Sequence, residues 1–404
     1  MGSISSAAKR AAAALTVSMV TIACGQSVSV GGPPPTADTG TPARVDGGGT
    51  TDGGTTTPPP GPGISALRLS DGAGNTWRMT GDTDTATADL VSLPGHNAFW
   101  FAWSIFHSGT SIFDRDTDIA AATIAGDSEC TVPCDQIAPA CAGRDCIPSL
   151  QSPRMVSAGS DELGYLRDTD EVLGVITAEG PRAYPHNILW WHEIVNEDVG
   201  GQRFAITFCP LTGSGMSYDR DGFVAGTTVE LGVSGSLYNS NLVMYDRSSD
   251  SFWSQMRNQA VFGSELAAAS PLLPVHEMTW RAWRELHPDT LVVSDQTGHS
   301  RDYTAYPYGA YRDDHTNTFR ATDPAPDVIF DNKDMTFGLF AGGTVRAYVW
   351  DVLAAKAGSR WGVVNDTIGD VPVAIAFDLD ERYVHAFDRR SDGSTIELSV
   401  VTPD

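Results

Sequence analysis

The chain has 404 residues, 41% of them hydrophobic and 19% charged, enough to bury a core without metal or disulfide staples. Lys and Arg number 26 and Asp and Glu 50, so the net charge is 26 − 50 = −24. A surface this acidic repels phosphate backbones and anionic headgroups, which excludes nucleic acid as a partner.

In chain order, Lys9 and Arg10 precede a short apolar run ending Thr21-Ile22-Ala23-Cys24-Gly25. The run is too short for a permanent membrane span and reads as a signal sequence over residues 1–24. Its end resembles a bacterial lipobox, with Cys24 as the lipidated residue; Thr21 is a weak match, and an ordinary secretory signal is the alternative. The expected location is the cell envelope, on the outer membrane facing periplasm or surface, with the lipid as the only membrane contact. Residues 25–63, dominated by Gly, Pro and Thr, read as a tether that cannot fold. A β-rich segment, 64–129, and a main domain, 130–404, follow.

Cys130, Cys134, Cys141 and Cys146 crowd one loop. In an exported protein they read as two disulfides with three possible connectivities, an all-thiolate zinc site being the alternative. Cys209 is left over, either as a buried filler or as a functional thiol.

Residues 174–220 and 338–389 resemble one another. Arg182-Ala183-Tyr184 matches Arg346-Ala347-Tyr348, Ala205-Ile206-Thr207-Phe208 falls on Ala374-Ile375-Ala376-Phe377, and Tyr218-Asp219-Arg220 on Phe387-Asp388-Arg389. Each copy reads as two strands, a short helix, a Val-Asn-Asp/Glu turn and two further strands, so the expected fold class is α+β, mostly antiparallel sheet with short helices, built on an internal duplication. His192, Glu193 and Cys209 fall on Trp361, Gly362 and Asp378. Residues present in one copy only are candidates for work other than folding.

The motifs Cys146-Ile147-Pro148-Ser149-Leu150, Arg182-Ala183-Tyr184-Pro185, Trp191-His192-Glu193-Ile194-Val195-Asn196 and Cys209-Pro210-Leu211-Thr212 resemble a bacterial family, the domain of unknown function 3179. Trp253-Ser254-Gln255 and His287-Pro288-Asp289-Thr290 continue the likeness, which runs from about residue 130 to about 390. The resemblance implies an exported or lipid-anchored protein without an assigned reaction. Many members carry Cys-Pro-Leu-Cys where this chain has Thr212, so a dithiol cycle does not transfer.

The chemistry expected of the first copy centres on Cys209 and His192. Thiolate plus imidazole, with Met216 or Met244 as a thioether, favours copper as the cofactor. The thiol reading instead has His192 activate Cys209 as nucleophile, with Arg220 or Arg247 holding an anionic substrate. Asn239, Ser240 and Arg247 belong to a polar loop that is a second candidate for the binding site. His186 reads as a surface or capping residue, and Glu193 as a cap or ion-pair partner. The competing function is a non-catalytic envelope binding or scaffold module with Cys209 buried and inert. The small-molecule or protein partner is left open.

Overall fold

A computed structural model describes residues 62–402. The signal sequence, Cys24 and the tether up to Gly61 lie outside the described residues. Among the described residues four α-helices of seven or eight residues punctuate a mostly antiparallel strand architecture, so the fold is α+β, dominated by sheet. Among the described residues no helix is long and apolar enough to cross a membrane.

The site depends on two sheets with the same plan. In the first, strand order runs His276–Thr279, Glu171–Thr177, Gly180–Pro185, Leu291–Val293 and Met155–Ser157. The second runs Gly95–Phe99, Met335–Ala341, Thr344–Val349 and Ser111–Ile112. In each, the first two pairings are antiparallel and the third is parallel. A helix, His186–His192 or Trp350–Ala357, follows the third strand in each list, and another, Trp280–Leu286 or Trp100–Phe106, follows the first. Segment 64–129 is therefore woven into the main body, because its strands pair with Met335–Ala341, Thr344–Val349 and Tyr383–Asp388.

The close fit of helix on sheet comes from a tryptophan over a glycine. A Cβ at Gly174 would lie 2.2 Å from the Trp283 ring and one at Gly338 1.8 Å from the Trp103 ring, so only a bare Cα fits under each indole. All four residues sit in their half's apolar interior, with both tryptophans fully buried.

The Arg-Ala-Tyr motif also has the same job twice. Tyr184 Oη donates to Glu197 Oε1 at 3.0 Å and Tyr348 Oη to Asp366 Oδ2 at 2.8 Å, while Arg182 and Arg346 pair with the same carboxylates. These acids stand inside strands Ile194–Val199 and Trp361–Ile368. The expected Val-Asn turn is thus strand. The reversal comes later, at Gly200 and Gly201, whose φ of 57° and 84° suit the two-residue hairpin connection to Gln202–Cys209. Three strands, not two, follow the helix.

Candidate functional site

Cys209 ends the strand Gln202–Cys209, is 1% exposed, and has its Sγ 3.7 Å from the Ser240 carbonyl. Burial and the nearby Glu193 carboxyl push the thiol up to about 11, so it is protonated at neutral pH. His192 ends its helix fully buried, and both ring nitrogens are engaged, Nδ1 with the Pro148 carbonyl at 2.8 Å and Nε2 with Tyr303 Oη at 2.7 Å. The two side chains have separate partners, and no thiolate–imidazolium pair forms. An imidazole with neither nitrogen free is also no ready metal ligand, which removes the geometric support for copper. Glu193 is buried without an ion-pair partner among the described residues, and burial raises its carboxyl to about 8.

The remaining expected site residues are structural. Met216 and Met244 lie in the apolar core, and Met216 Sδ accepts a hydrogen bond from Tyr218 Oη at 2.9 Å. Arg220 donates to the Val229 and Glu197 carbonyls, as Arg389 does to those of Val373 and Asp366 in the other half. Arg247 is tied to Asp145 and Glu230 rather than free for an anion. Asn239 and Ser240, with φ of 46° and 65°, form the hairpin turn between Leu231–Tyr238 and Asn241–Asp246 and hold the 318–323 loop: Asn239 Nδ2 donates to the Asp323 carbonyl and Ser240 Oγ to the Thr318 carbonyl. Thr212 joins a buried network in which Asn241 Nδ2 donates to its Oγ1 at 2.9 Å and to Gln255 Oε1 at 2.8 Å. The four loop cysteines form the disulfides Cys130–Cys134 and Cys141–Cys146, with Cα separations of 5.5 and 6.2 Å, so the all-thiolate zinc alternative falls away.

The cleft that the structure offers lies elsewhere, with a cavity of about 580 Å³ where the two halves meet. Glu171, His186, Trp190, Phe208 and Glu277 line it from the first half, and Phe99, Lys333 and Met335 from the second. The strand register creates its floor. Glu171 faces Thr279 across an antiparallel pair, and Glu277 is two residues from Thr279, so both carboxylates project from one face. His186 follows Pro185, which pairs with Val172, and so opens its helix beside them.

His186 is 4% exposed, contrary to its reading as a surface residue, and its ring stacks on Phe208 at 4.0 Å. Burial lowers its imidazole to about 4, leaving it neutral at pH 7. Burial opposes charge on Glu171, but the Arg382 guanidinium, 3.3 Å away, outweighs it and holds the carboxyl below its ordinary range. Glu277 is pushed up by burial and by the Glu171 charge, while Asn97 Nδ2 donates to its Oε2 at 3.2 Å. Lys333 adds a buried amine without a hydrogen-bond partner among the described residues, its Nζ 3.5 Å from the Tyr311 ring centroid; burial lowers it to about 7.

Helical spacing hid His186, because a seven-residue helix is too short for a face to be read and its partners arrive on strands distant in sequence. A signal was present in His276, Trp280, Ala282, Trp283, His287 and Thr290, which repeat as His96, Trp100, Ala102, Trp103, His107 and Thr110. That second match places Glu277 against Asn97 and marks Glu277 as specific to one half.

A family model described as "Protein of unknown function (DUF3179)" matches residues 144–403. No curated protein and no solved structure matches the chain.

Proposed function

The chain belongs to the protein family of unknown function 3179; from that premise, which brings no reaction with it, we propose a cell-envelope binding module, lipid-anchored through Cys24, that takes a small polar ligand in the cleft between its halves. The observation that carries this reading is the contrast between a sealed thiol and an open cleft. Cys209 is buried and His192 is fully engaged, whereas Glu171, His186, Glu277 and Lys333 line a cavity of small-molecule size. We also read the two matching sheets as an internal duplication in which residues 91–112 supply the closing strands and helix of the second copy.

A native thiol titration tests the assignment. Cys209 is expected to stay unmodified until the protein unfolds, and the native protein to take up no copper that Cys209→Ala removes. Rapid stoichiometric labelling under native conditions would restore the thiol reading. For the anchor, Cys24→Ala is expected to move the protein from the detergent-extracted membrane fraction to the soluble one; unchanged partitioning would refute lipidation.

A further inference from the structure

Three groups of potential ligands occur among the described residues. In one, the sulfurs of Cys130 and Cys134 are tied to each other. Another, His315 with Asp331 and Asp334, lies largely at the surface. Glu171, His186 and Glu277 differ from both in being largely buried and in fronting the cleft, with one ligand atom of each within 4.8 Å of the others.

An unsatisfied atom sets this third group apart. His186 Nε2 is buried without a hydrogen-bond partner among the described residues, and its nearest carboxylate oxygen, Glu277 Oε1, is 3.6 Å away, too far for a hydrogen bond. Leaving a buried imidazole nitrogen unbonded between two carboxylates is unfavourable, so the position calls for a partner. Its surroundings nevertheless hold it in place. Phe208 stacks on the ring, Asn97 fixes the other oxygen of Glu277, and Arg382 pins Glu171. Oriented ligands with supporting partners behind them are what a metal site requires.

We infer that Glu171, His186 and Glu277 bind one divalent cation, whose remaining coordination positions face the cleft. Two carboxylate oxygens and one imidazole make a hard-to-borderline set that suits Mn²⁺ or Zn²⁺ and disfavours Cu⁺, in contrast to the copper expected from Cys209 and His192. The two carboxylates neutralise the ion, and the open side is where an anionic ligand would complete the shell. The inference rests on reading the cleft as the binding site and names what that site holds.

The test is calorimetric titration of the EDTA-stripped protein with Mn²⁺ and, separately, Zn²⁺. One ion per chain is expected. His186→Ala and Glu277→Gln should each weaken binding by more than about 100-fold, and Asn97→Ala, which acts only by orienting Glu277, by about 10–100-fold. Glu171→Gln, at a partly exposed position, provides a readout should the buried variants fail to fold. Cys209→Ala should leave affinity unchanged. Absence of stoichiometric binding by the wild-type protein would overturn the inference, as would binding indifferent to Glu171 and Glu277 or abolished by Cys209→Ala. Failure here with Cys209 still protected sinks the metal site alone, whereas a natively reactive Cys209 sinks the binding-module reading.

Discussion

The halves of the molecule share a scaffold and differ at the cleft. Glu171, His186 and Glu277 have as register equivalents Met335, Trp350 and Asn97: Met335 pairs with Phe99 as Glu171 pairs with Thr279, and Trp350 opens its helix as His186 does. The same strands and helices therefore form without the acids or the imidazole. The second half instead supplies wall and support, with Asn97 donating to Glu277 and Trp350 lying beneath the Arg382 guanidinium at 4.6 Å. Packing alone does not explain a buried titratable cluster that one half dispenses with.

That comparison is most sharply tested at what the halves hold in common. Trp103→Ala and Trp283→Ala should each destabilise by about 3–5 kcal/mol in denaturant titrations, because each empties the space over a glycine. A large effect in one half and none in the other would undo the structural equivalence.

Next in size is an effect confined to the first half. Glu193, which falls on Gly362, has its carboxyl raised to about 8 from an ordinary 4.5. Its contribution to stability is fully present below about 4.5, where folded and unfolded forms both hold the proton, and is lost as pH rises through 8. Glu193→Gln should remove that loss, so the variant gains melting temperature over wild type at pH 8 and little at pH 4; parallel profiles would refute the assignment.

Smaller and symmetric effects are expected at the two tyrosines. Tyr184→Phe and Tyr348→Phe each remove one hydrogen bond to a carboxylate and should cost about 1.5–3 kcal/mol by chemical denaturation. Unequal costs would show that the Arg-Ala-Tyr motif does different work in the two halves. The smallest effect belongs to an ion pair outside the shared plan: Arg203 and Asp221 are solvent-exposed, with side-chain values of 41% and 39%, and Arg203→Ala should leave the denaturation midpoint essentially where it is.

Repetition made the scaffold legible in the sequence. Arg182-Ala183-Tyr184 and its counterpart announce a repeated plan of strand, helix and strand, and β-prone runs such as Ala205-Ile206-Thr207-Phe208 mark the strands. The Val-Asn-Glu triplet has the local character of a turn, but pairing of Asn196 with Ala205 makes it strand. Local reading succeeded where a residue's role depends on its neighbours, as with the short helix after Arg182-Ala183-Tyr184, which spans His186–His192. The cleft escaped it because Glu171, His186 and Glu277 meet only through non-local strand pairing, and the spaced match that sets Glu277 against Asn97 says nothing of Glu171 or His186. Cys209 attracted attention as a lone thiol, yet its exposure depends on what covers it: Tyr306 and Tyr311, which donate to the Pro210 and Leu211 carbonyls, come from a loop about a hundred residues on.

The pairing of Gly95–Phe99 with Met335–Ala341 has a consequence for how the chain comes into being. Synthesis delivers the amino terminus first, so the sheet built around Glu171–Thr177 has all its strands once Leu291–Val293 has emerged, while Gly95–Phe99 still waits for a partner. Until Met335–Ala341 appears, a buried-type strand and the aromatic helix behind it stand uncovered, and closing so long a loop is slow. The carboxylates and imidazole of the cleft can assemble early; the Asn97 donor and the Phe99 side of the cavity are seated only at the end.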